Sequence, residues 1–143
     1  MTVLICGANG SIGSFIAKEE AKNHKVVGTY RKHDGHAKEL EKNSNISLIQ
    51  KNMFEGTDMK DVVDQARQQG PITKVYWLVG ESWNIGWDRL KLEDCQHAIK
   101  MCAEPLASLI IECKPELSDE NNLMRWASIS GISSLIYAGG PNK

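Results

Sequence analysis

Three glycines that follow a short apolar segment constrain the fold of this chain more than any other feature of its sequence. Thr2–Cys6 is a short, continuous apolar run, which predicts a β-strand buried on both faces of a sheet. Gly7, Gly10 and Gly13 come next, and the segment Ser11–Asn23 then has the pattern of an amphipathic helix. The order of strand, glycine-rich turn and helix is the context in which such glycines are informative.

Each of the three glycines has a physical role in that turn. Gly7 allows a tight turn out of the strand, Gly10 leaves its backbone open to a pyrophosphate, and Gly13 lets the helix pack closely on the sheet. The free N–H groups and partial positive charge of the helix N-terminus would face the phosphates. The pattern predicts dinucleotide binding, with a tight turn that holds no ligand as the alternative. It lacks the Gly-Lys-Ser/Thr ending of a P-loop.

Strands and helices alternate along the whole chain. Further strands are predicted at Lys25–Thr29, Ile46–Ile49, Thr73–Val79 and Leu123–Ile129. Helices are predicted at Asp34–Lys42, Asp58–Gln69 and Leu92–Cys113, the last with a kink at Pro105. Five alternations imply an α/β fold with a doubly wound parallel sheet, in the leading order 3-2-1-4-5. A length of 143 residues corresponds to one domain, residues 1–143.

Two of the predicted helices have a distinct apolar side. In the first helix, Ile12, Phe15 and Ile16 share one side, the pattern of a helix that packs on a core. The apolar positions of the helix Asp58–Gln69 follow the i, i+3, i+4, i+7 rule and are Met59, Val62, Val63 and Ala66.

The charge and hydropathy of the chain exclude several kinds of partner. It has 17 basic and 18 acidic residues and a formal net charge of -1, so no basic excess favours nucleic acid or an anionic membrane. No run of about 18 apolar residues is present, which argues against a membrane span. The first residues lack the basic head and apolar stretch of a signal peptide. Four cysteines in such a chain predict reduced thiols and a cytoplasmic protein.

Three of the cysteines lie at helical spacing. Cys95, Cys102 and Cys113 return to nearly the same side of a helix, because their separations are close to whole numbers of turns. Neighbours on that side would still be about 10 Å or more apart along the axis, too far to share a metal ion. We therefore expect small apolar side chains on a buried helix face, and no metal site. Cys6 falls in an apolar strand and is expected to be buried.

The residues after the second strand predict which nicotinamide cofactor would bind. An acid at this point binds the ribose 2′-hydroxyl of NAD, whereas a basic side chain accepts the 2′-phosphate of NADP. Here Thr29 is followed by Tyr30, Arg31 and Lys32, and no acid occurs before Asp34. Arg31 offers a forked donor and Lys32 a second charge, which favours NADP over NAD. An ordinary solvated basic turn is the alternative.

Together these features resemble the short-chain dehydrogenase/reductase family over nearly the whole chain. The segments that carry the resemblance are Gly7-Ala8-Asn9-Gly10-Ser11-Ile12-Gly13, Thr29-Tyr30-Arg31 and Ala127-Ser128-Ile129-Ser130. The resemblance implies a Rossmann-like fold whose glycine loop, including Asn9, Ser11 and Ile12, binds the cofactor. It also implies an adenine contact at Asn52, where the family has an acid, and a cofactor contact at Gly80.

The resemblance implies the chemistry as well. Members of the family reduce carbonyls or oxidise alcohols by hydride transfer to or from a nicotinamide. A Tyr is the general acid, a Lys lowers its pKa and a Ser holds the substrate oxygen. Ser130 matches that serine, and Tyr137 is the candidate acid, although it follows Ser130 by only seven residues and no Lys lies four residues beyond it. The family's helix asparagine falls near Met101 or Cys102, and only Gly80 remains of its Asn-Asn-Ala-Gly segment.

Three explanations of these departures stay open. The chain is a piece of a longer enzyme that ends before the Tyr-x-x-x-Lys segment, or it is a natural degenerate member, or Tyr137 and Lys143 form a displaced pair. The function is accordingly one of two kinds. The first is an NADP-dependent reductase of a small carbonyl or alcohol substrate. The second is a catalytically inactive nucleotide-binding or regulatory module that acts through a protein partner.

In this family, further strands and a helix cover the region beyond the fifth strand. Without them, the helix Leu92–Cys113 would show apolar surface, because Leu106, Leu109, Ile110 and the cysteines would need a cover. We therefore expect a homo-oligomer, or a partner chain, that covers this helix.

Overall fold

A parallel sheet organises the structure, which is a computed structural model that describes residues 1–53, 55–80 and 88–117. Its strands are β1 (Thr2–Cys6), β2 (Lys25–Tyr30), β3 (Ile46–Gln50) and β4 (Ile72–Trp77). Their order across the sheet is β3-β2-β1-β4, and every neighbouring pair is parallel. This confirms the predicted α/β fold and the order of the first four strands. The predicted fifth strand, Leu123–Ile129, lies outside the described residues.

β1 is the strand on which both layers of the core meet. All five of its residues are buried, since helices cover both faces of the sheet. Val3 and Ile5 point into one core, and Leu4 and Cys6 point into the other. β1 stays in parallel register with β2 and β4 towards its last residues, so the carboxyl ends of these three strands come to the same edge of the sheet.

The helices occupy both faces of the sheet. Their bounds are α1 (Ser11–Glu20), α2 (Gly35–Leu40), α3 (Lys60–Gln68), α4 (Leu92–Ala98), α5 (Glu104–Glu112) and α6 (Lys114–Leu117). α1 and α2 pack on the core that holds Val3 and Ile5, whereas α3 and α5 pack on the core that holds Leu4 and Cys6. α2 buries Ala37 and Leu40.

The face on which α1 packs corrects the sequence-based expectation. Ile12 and Phe15 are 67% and 65% exposed, and the buried residues of the helix are Gly13, Ser14 and Ala17. Ile16, the third residue predicted on that side, is partly buried and packs against the core. The most closely packed position, Gly13, has no side chain because the first turn of the helix lies against the glycine turn. α1 also ends three residues before the predicted Asn23, at Glu20.

α3 packs as its sequence predicts. The four predicted apolar residues are all fully buried: Met59, Val62, Val63 and Ala66. They pack in one core with residues of the sheet and of α5. The helix begins two residues later than predicted, at Lys60, whose backbone N–H donates to Oδ1 of Asp58 at 2.9 Å.

The long helix predicted at Leu92–Cys113 is interrupted. α4 passes through one π-helical turn, Ile99–Ala103, before α5 begins with Glu104 and Pro105. Proline lacks a backbone N–H and its ring clashes with the carbonyl group four residues earlier, which here belongs to Met101 in the π turn. The helix therefore widens before Pro105, where we had expected a simple kink at the proline.

The cysteines of this helix do not share one environment. Cys113 is buried, Cys102 is partly buried and Cys95 is exposed, so the expectation of a common buried face is wrong for Cys95. Cys6 is buried, as predicted. The π turn changes the angular spacing between Cys95 and Cys113, so the regular periodicity assumed from the sequence does not hold across it.

The apolar surface of the long helix also differs from the expectation. Leu109 is fully buried against the core under α3, so it needs no further cover. The exposed apolar side chains are Leu92, Ile99, Ile110 and Ile111. Of the residues expected to need a cover, Ile110, at 37%, and Cys95 are exposed.

Candidate functional site

A cavity of about 310 Å³ opens at the carboxyl end of the sheet. Its walls come from the loop after β1, the turn after β2, the segment after β3, the segment after β4 and the π turn. The chain runs from β1 towards β3 on one side and returns to place β4 on the other side, so this edge of β1 is the point where the strand order reverses. Ligands of open α/β sheets bind in the crevice at such a point.

The glycine loop has the geometry that its sequence predicts. Gly7 has a φ of +90°, and a Cβ atom there would lie 2.9 Å from the carbonyl oxygen of Leu78. A Cβ atom on Gly13 would lie 2.2 Å from the carbonyl oxygen of Gly7, so α1 can approach the loop only through a glycine. A Cβ atom on Gly10 would meet nothing closer than 3.6 Å. Gly10 lines the cavity and keeps its backbone accessible.

Thr29, at the end of β2, holds the glycine loop in place. Its side-chain oxygen accepts a hydrogen bond from the backbone N–H of Gly7 at 3.0 Å, and its carbonyl oxygen accepts one from Ala8 at 2.8 Å. Sequence reasoning did not assign this role to Thr29. The available signal was a hydroxyl side chain at the end of an otherwise apolar strand.

The N-terminus of α1 faces the same region. Its first turn contains no acidic residue, and its N-cap Gly10 has no side chain to satisfy the backbone N–H groups. The first backbone N–H groups of any helix lack partners within the helix and carry partial positive charge. These groups belong here to Ser11, Ile12 and Gly13. None of the three residues is among those that line the cavity. This end of α1 can bind an anion.

The turn after β2 supplies most of the charge in the cavity wall. Arg31, Lys32 and Asp34 all line the cavity, together with Tyr30. The ring of Tyr30 lies 5.6 Å from the ring of His33, centroid to centroid, so the turn is packed against its own side chains. The structure thus brings the two predicted basic residues to the cavity that the glycine loop forms, and it adds one carboxylate.

Asn9 connects the glycine loop to that turn. Its Nδ2 donates to the carbonyl oxygen of Lys32 at 3.0 Å and to Oδ1 of Asp34 at 2.7 Å. Its Oδ1 accepts from the backbone N–H of Ala37 at 2.6 Å. Asn9 lines the cavity, but its side-chain amide is engaged with the protein.

The segment after β3 contributes Lys51 and Met53 to the cavity wall, on either side of the predicted Asn52. Asn52 itself is not among the lining residues that the structure describes. The ammonium group of Lys51 donates to the carbonyl oxygen of Asp58 at 2.6 Å and to Oδ1 of Asp61 at 3.0 Å. Sequence reasoning missed Lys51, since a lysine after a strand is common and only the tertiary structure turns this one towards the cavity.

The remaining wall is largely apolar. Leu78, Val79 and Gly80 follow β4 and line the cavity, so the predicted Gly80 does belong to this site. Met101, in the π turn, closes the wall and is 5% exposed. An apolar wall opposite a charged one fits a ligand with a flat ring and a phosphorylated part.

The thiol nearest the glycine loop is not a nucleophile. Cys6 is the last residue of β1, and burial raises the pKa of its thiol to about 12. A thiol with such a pKa stays protonated at neutral pH, and the thiolate is the reactive form. Cys6 therefore contributes packing beneath the cavity.

Two predicted site residues, Ser130 and Tyr137, lie outside the described residues. Within residues 1–53, 55–80 and 88–117, no group of three or more His, Cys, Asp or Glu side chains is arranged to hold a metal ion. In the same part of the chain, no helix is both long and apolar enough to cross a membrane.

The fold is similar to solved structures of oxidoreductases. A carbonyl reductase with bound NADPH from chicken fatty liver has a TM-score of 0.68 and 20% identity, over 81% of this chain and 48% of that one. ElxO with bound NADP has a TM-score of 0.69 and 20% identity, over 81% and 50%. A variant of a short-chain dehydrogenase/reductase from Serratia marcescens has a TM-score of 0.67 and 17% identity, over 79% and 49%.

These similarities establish the Rossmann-like architecture of the chain. The chain spans about half the length of the three proteins named. No protein-family model and no curated protein matches its sequence.

Proposed function

We propose that this chain is an NADP-binding oxidoreductase of the short-chain dehydrogenase/reductase type. The observation that carries the proposal is the meeting of the glycine loop and the Arg31–Lys32 turn in one cavity at the carboxyl edge of the sheet. Two of the similar structures hold NADPH or NADP, which agrees with this chemistry.

The residues present fit a dinucleotide phosphate. The open backbone at Gly10 and the N-terminus of α1 would hold the pyrophosphate, because they combine free N–H groups with partial positive charge. Arg31 and Lys32 would hold the 2′-phosphate, and the apolar wall at Leu78 and Met101 would face a ring. When bound, the cofactor would supply a nicotinamide that accepts or donates hydride.

A calorimetric titration with NADPH and NADH tests the cofactor assignment. We expect NADPH to bind more tightly, and Arg31→Ala to weaken NADPH by about tenfold or more, since a charge-assisted hydrogen bond is worth about 1.5–3 kcal/mol. NADH should be nearly unaffected by this change, because it has no 2′-phosphate.

Arg89→Ala is the matched control, since Arg89 is exposed and does not line the cavity. It should leave both titrations unchanged. Equal affinity for the two nucleotides would refute the preference for NADP. Binding of neither would reduce the glycine loop to a structural turn.

The proposed reaction is hydride transfer between this cofactor and a small carbonyl or alcohol. In this proposal Ser130 orients the substrate oxygen and Tyr137 is the general acid. A hydride-transfer assay with a panel of ketones and aldehydes, followed by NADPH absorbance, tests it. Activity that survives both Ser130→Ala and Tyr137→Phe would exclude these assignments.

One described residue favours the second candidate, a nucleotide-binding or regulatory module without redox activity. Met101 occupies the region where the resembled family has a proton-relay asparagine, and it lines the cavity with an apolar side chain. A thioether is at most a weak hydrogen-bond acceptor and cannot relay protons. NADPH binding without turnover of any substrate in the panel would support this alternative.

We further propose that residues 1–143 act as one cytoplasmic domain that associates through the exposed side of α4 and α5. Leu92 of α4, Ile99 of the π turn and Ile111 of α5 are between 53% and 70% exposed, and exposed apolar side chains along this helical region favour an interaction site. A second copy of the chain is the expected partner. Sedimentation velocity should show a dimer or a larger oligomer that Ile99→Glu dissociates, and a monomer at all concentrations would contradict this.

A further inference from the structure

The side chain of Asn9 links two parts of the cavity that are separate in the sequence. It belongs to the glycine loop, yet its three hydrogen bonds all reach the turn after β2 and the first turn of α2, 23 to 28 residues further on. Both N–H donors and the carbonyl oxygen are engaged, so little of the amide is left for a ligand. Its contacts therefore point to a role in holding the wall of the cavity.

This link attaches the Lys32–Asp34 part of the turn to the glycine loop. Asp34 is the N-cap residue of α2, but its side chain makes no capping hydrogen bond to the helix. Asn9 supplies an acceptor to the N–H of Ala37, which the first turn of a helix otherwise leaves without a side-chain partner. The bonds from Asp34 to Lys32 and from Ala37 to Asp34 lie within the turn and the start of α2, and the bond from Nε2 of Gln50 to the Arg31 carbonyl attaches the turn to β3. The side chain of Asn9 attaches Lys32 and Asp34 to the glycine loop.

Asn9 also holds the carboxylate of Asp34, which lies in the cavity wall. A carboxylate next to the adenosine ribose binds a 2′-hydroxyl and repels a 2′-phosphate. Asn9 holds Oδ1 of Asp34 at 2.7 Å and the main chain of Lys32 at 3.0 Å. The amide of Asn9 thus restrains two groups. One is the carboxylate of Asp34, which opposes a 2′-phosphate, and the other is the backbone of Lys32, whose ammonium group favours it.

We propose that Asn9 is a positioning residue that sets the preference for a 2′-phosphate over a 2′-hydroxyl. It does so by fixing Lys32 and Asp34 against the glycine loop. This inference rests on the proposed binding of NADP. It assigns to Asn9 a specificity role exerted through the turn and not through direct contact with the cofactor.

Titration of Asn9→Ala with NADPH and NADH tests the inference. The ratio of the two affinities should fall by about tenfold, mainly through weaker NADPH binding, because the basic turn loses its anchor while the pyrophosphate site remains. Asn45→Ala is the matched control. Asn45 also bridges separate segments, with bonds to the Ala21 carbonyl and from the Lys25 ammonium, but at the opposite edge of the sheet.

A reciprocal pair of substitutions gives an independent readout. Asn9→Asp removes both donors and places two carboxylates together, so the preference for NADPH should fall further than in Asn9→Ala. Adding Asp34→Asn restores a donor between the two side chains and should recover part of the preference, measured against Asp34→Asn alone. A thermal unfolding scan shows whether Asn9→Ala folds. If it does not, the reciprocal substitutions test the role of Asn9, because they keep the size of both side chains and create no cavity.

The outcomes separate this inference from the proposed function. Failure of the unmodified chain to bind either nucleotide refutes the proposed function. If the unmodified chain prefers NADPH, an unchanged affinity ratio in Asn9→Ala overturns the positioning role. Equal weakening of NADPH and NADH overturns it too, since that result would place Asn9 at the pyrophosphate. Absence of recovery in the reciprocal pair also counts against it.

Discussion

α1 and α3 lie on opposite faces of the same sheet and pack by different means. α3 inserts long apolar side chains, among them Met59 and Val62, which are fully buried. α1 presents Gly13 and Ala17 to the sheet and leaves Phe15 65% exposed. The two helices are similar in length, so the difference lies in how closely each approaches the strands.

The glycine loop explains this difference. α1 starts directly after the loop, and its N-terminal turn lies so close that a Cβ atom on Gly13 would overlap the carbonyl oxygen of Gly7 at 2.2 Å. A helix at this distance has no space for long side chains beneath its first turns. α3 is free of that constraint and gains its stability from buried apolar area. A helix that starts at a close glycine turn thus gives up part of its own packing.

The largest loss of stability is expected where α1 approaches the glycine loop, at Gly13. Gly13→Val should destabilise the protein by about 4 kcal/mol or more, above the usual 1–3 kcal/mol of overpacking, because both neighbours are backbone atoms that cannot move aside. Urea unfolding measures it. Gly10→Ala is the control and should cost less than about 1 kcal/mol, since a Cβ atom there has open space. Equal costs would mean that α1 does not depend on this contact.

A large effect is also expected from the side chains of α3. Met59→Ala should lower the free energy of unfolding by about 3 kcal/mol, because a fully buried side chain is lost and a cavity remains. The midpoint of urea unfolding should fall while the slope stays constant. A cost below about 1 kcal/mol would show that this face of the sheet is less tightly packed than its burial indicates.

A smaller effect should depend on pH at the outer side of α3. Arg67 binds both carboxylate oxygens of Glu116 at 2.7 and 2.9 Å, and these hydrogen bonds lower the pKa of Glu116 below its ordinary 4.5. The unfolded chain then binds this proton more readily than the folded one. The stabilisation is therefore complete above pH 4.5 and is lost as the pH falls below that value.

Glu116→Gln should accordingly cost about 1 kcal/mol at pH 7, since the pair is partly exposed to solvent, and less at pH 3. Urea unfolding at the two pH values measures this. The exposed Glu55 provides the control substitution, Glu55→Gln, which should not show the same dependence. A cost that is equal at both pH values would assign the effect to packing.

The smallest effect is expected on the outer side of α1. Phe15→Ala should change the free energy of unfolding by less than about 0.5 kcal/mol, because most of this ring is already in contact with solvent. The comparison with Met59→Ala is the most direct test of the two packing modes. A cost near 3 kcal/mol would show that Phe15 is buried in the protein in solution, for instance by a second copy of the chain.

The residues that were predicted well are those whose local pattern and final environment agree. The strand Thr2–Cys6 and the inner residues of α3 have simple periodic patterns, and their burial follows directly from them. The glycine loop could also be placed in a cavity, because Gly7 and Gly13 are required by backbone geometry at short range. Short-range sterics and hydrophobic periodicity are properties that the sequence contains in full.

The features that were not predicted depend on contacts between distant segments. Phe15 looks like a core residue in its own helix, but the tertiary structure turns the side with Gly13, Ser14 and Ala17 to the sheet and leaves Phe15 exposed. Lys51 lines the cavity while its ammonium group pairs with Asp61 on another element. The helix widens before Pro105 because proline has no backbone N–H to donate. The spacing of apolar residues in the sequence does not predict this widening.

The sequence by itself determined the order of strands and helices, the close turn after β1 and the basic character of the segment after β2. Each of these follows from steric limits or charge within a few residues. Only the tertiary structure decided that Asn9 joins the glycine loop to the turn at Lys32 and Asp34. Parallel strands have their carboxyl ends at one edge of the sheet, so residues that are far apart in the chain come together there. Hydrogen bonds between such residues form only once the sheet has brought them together.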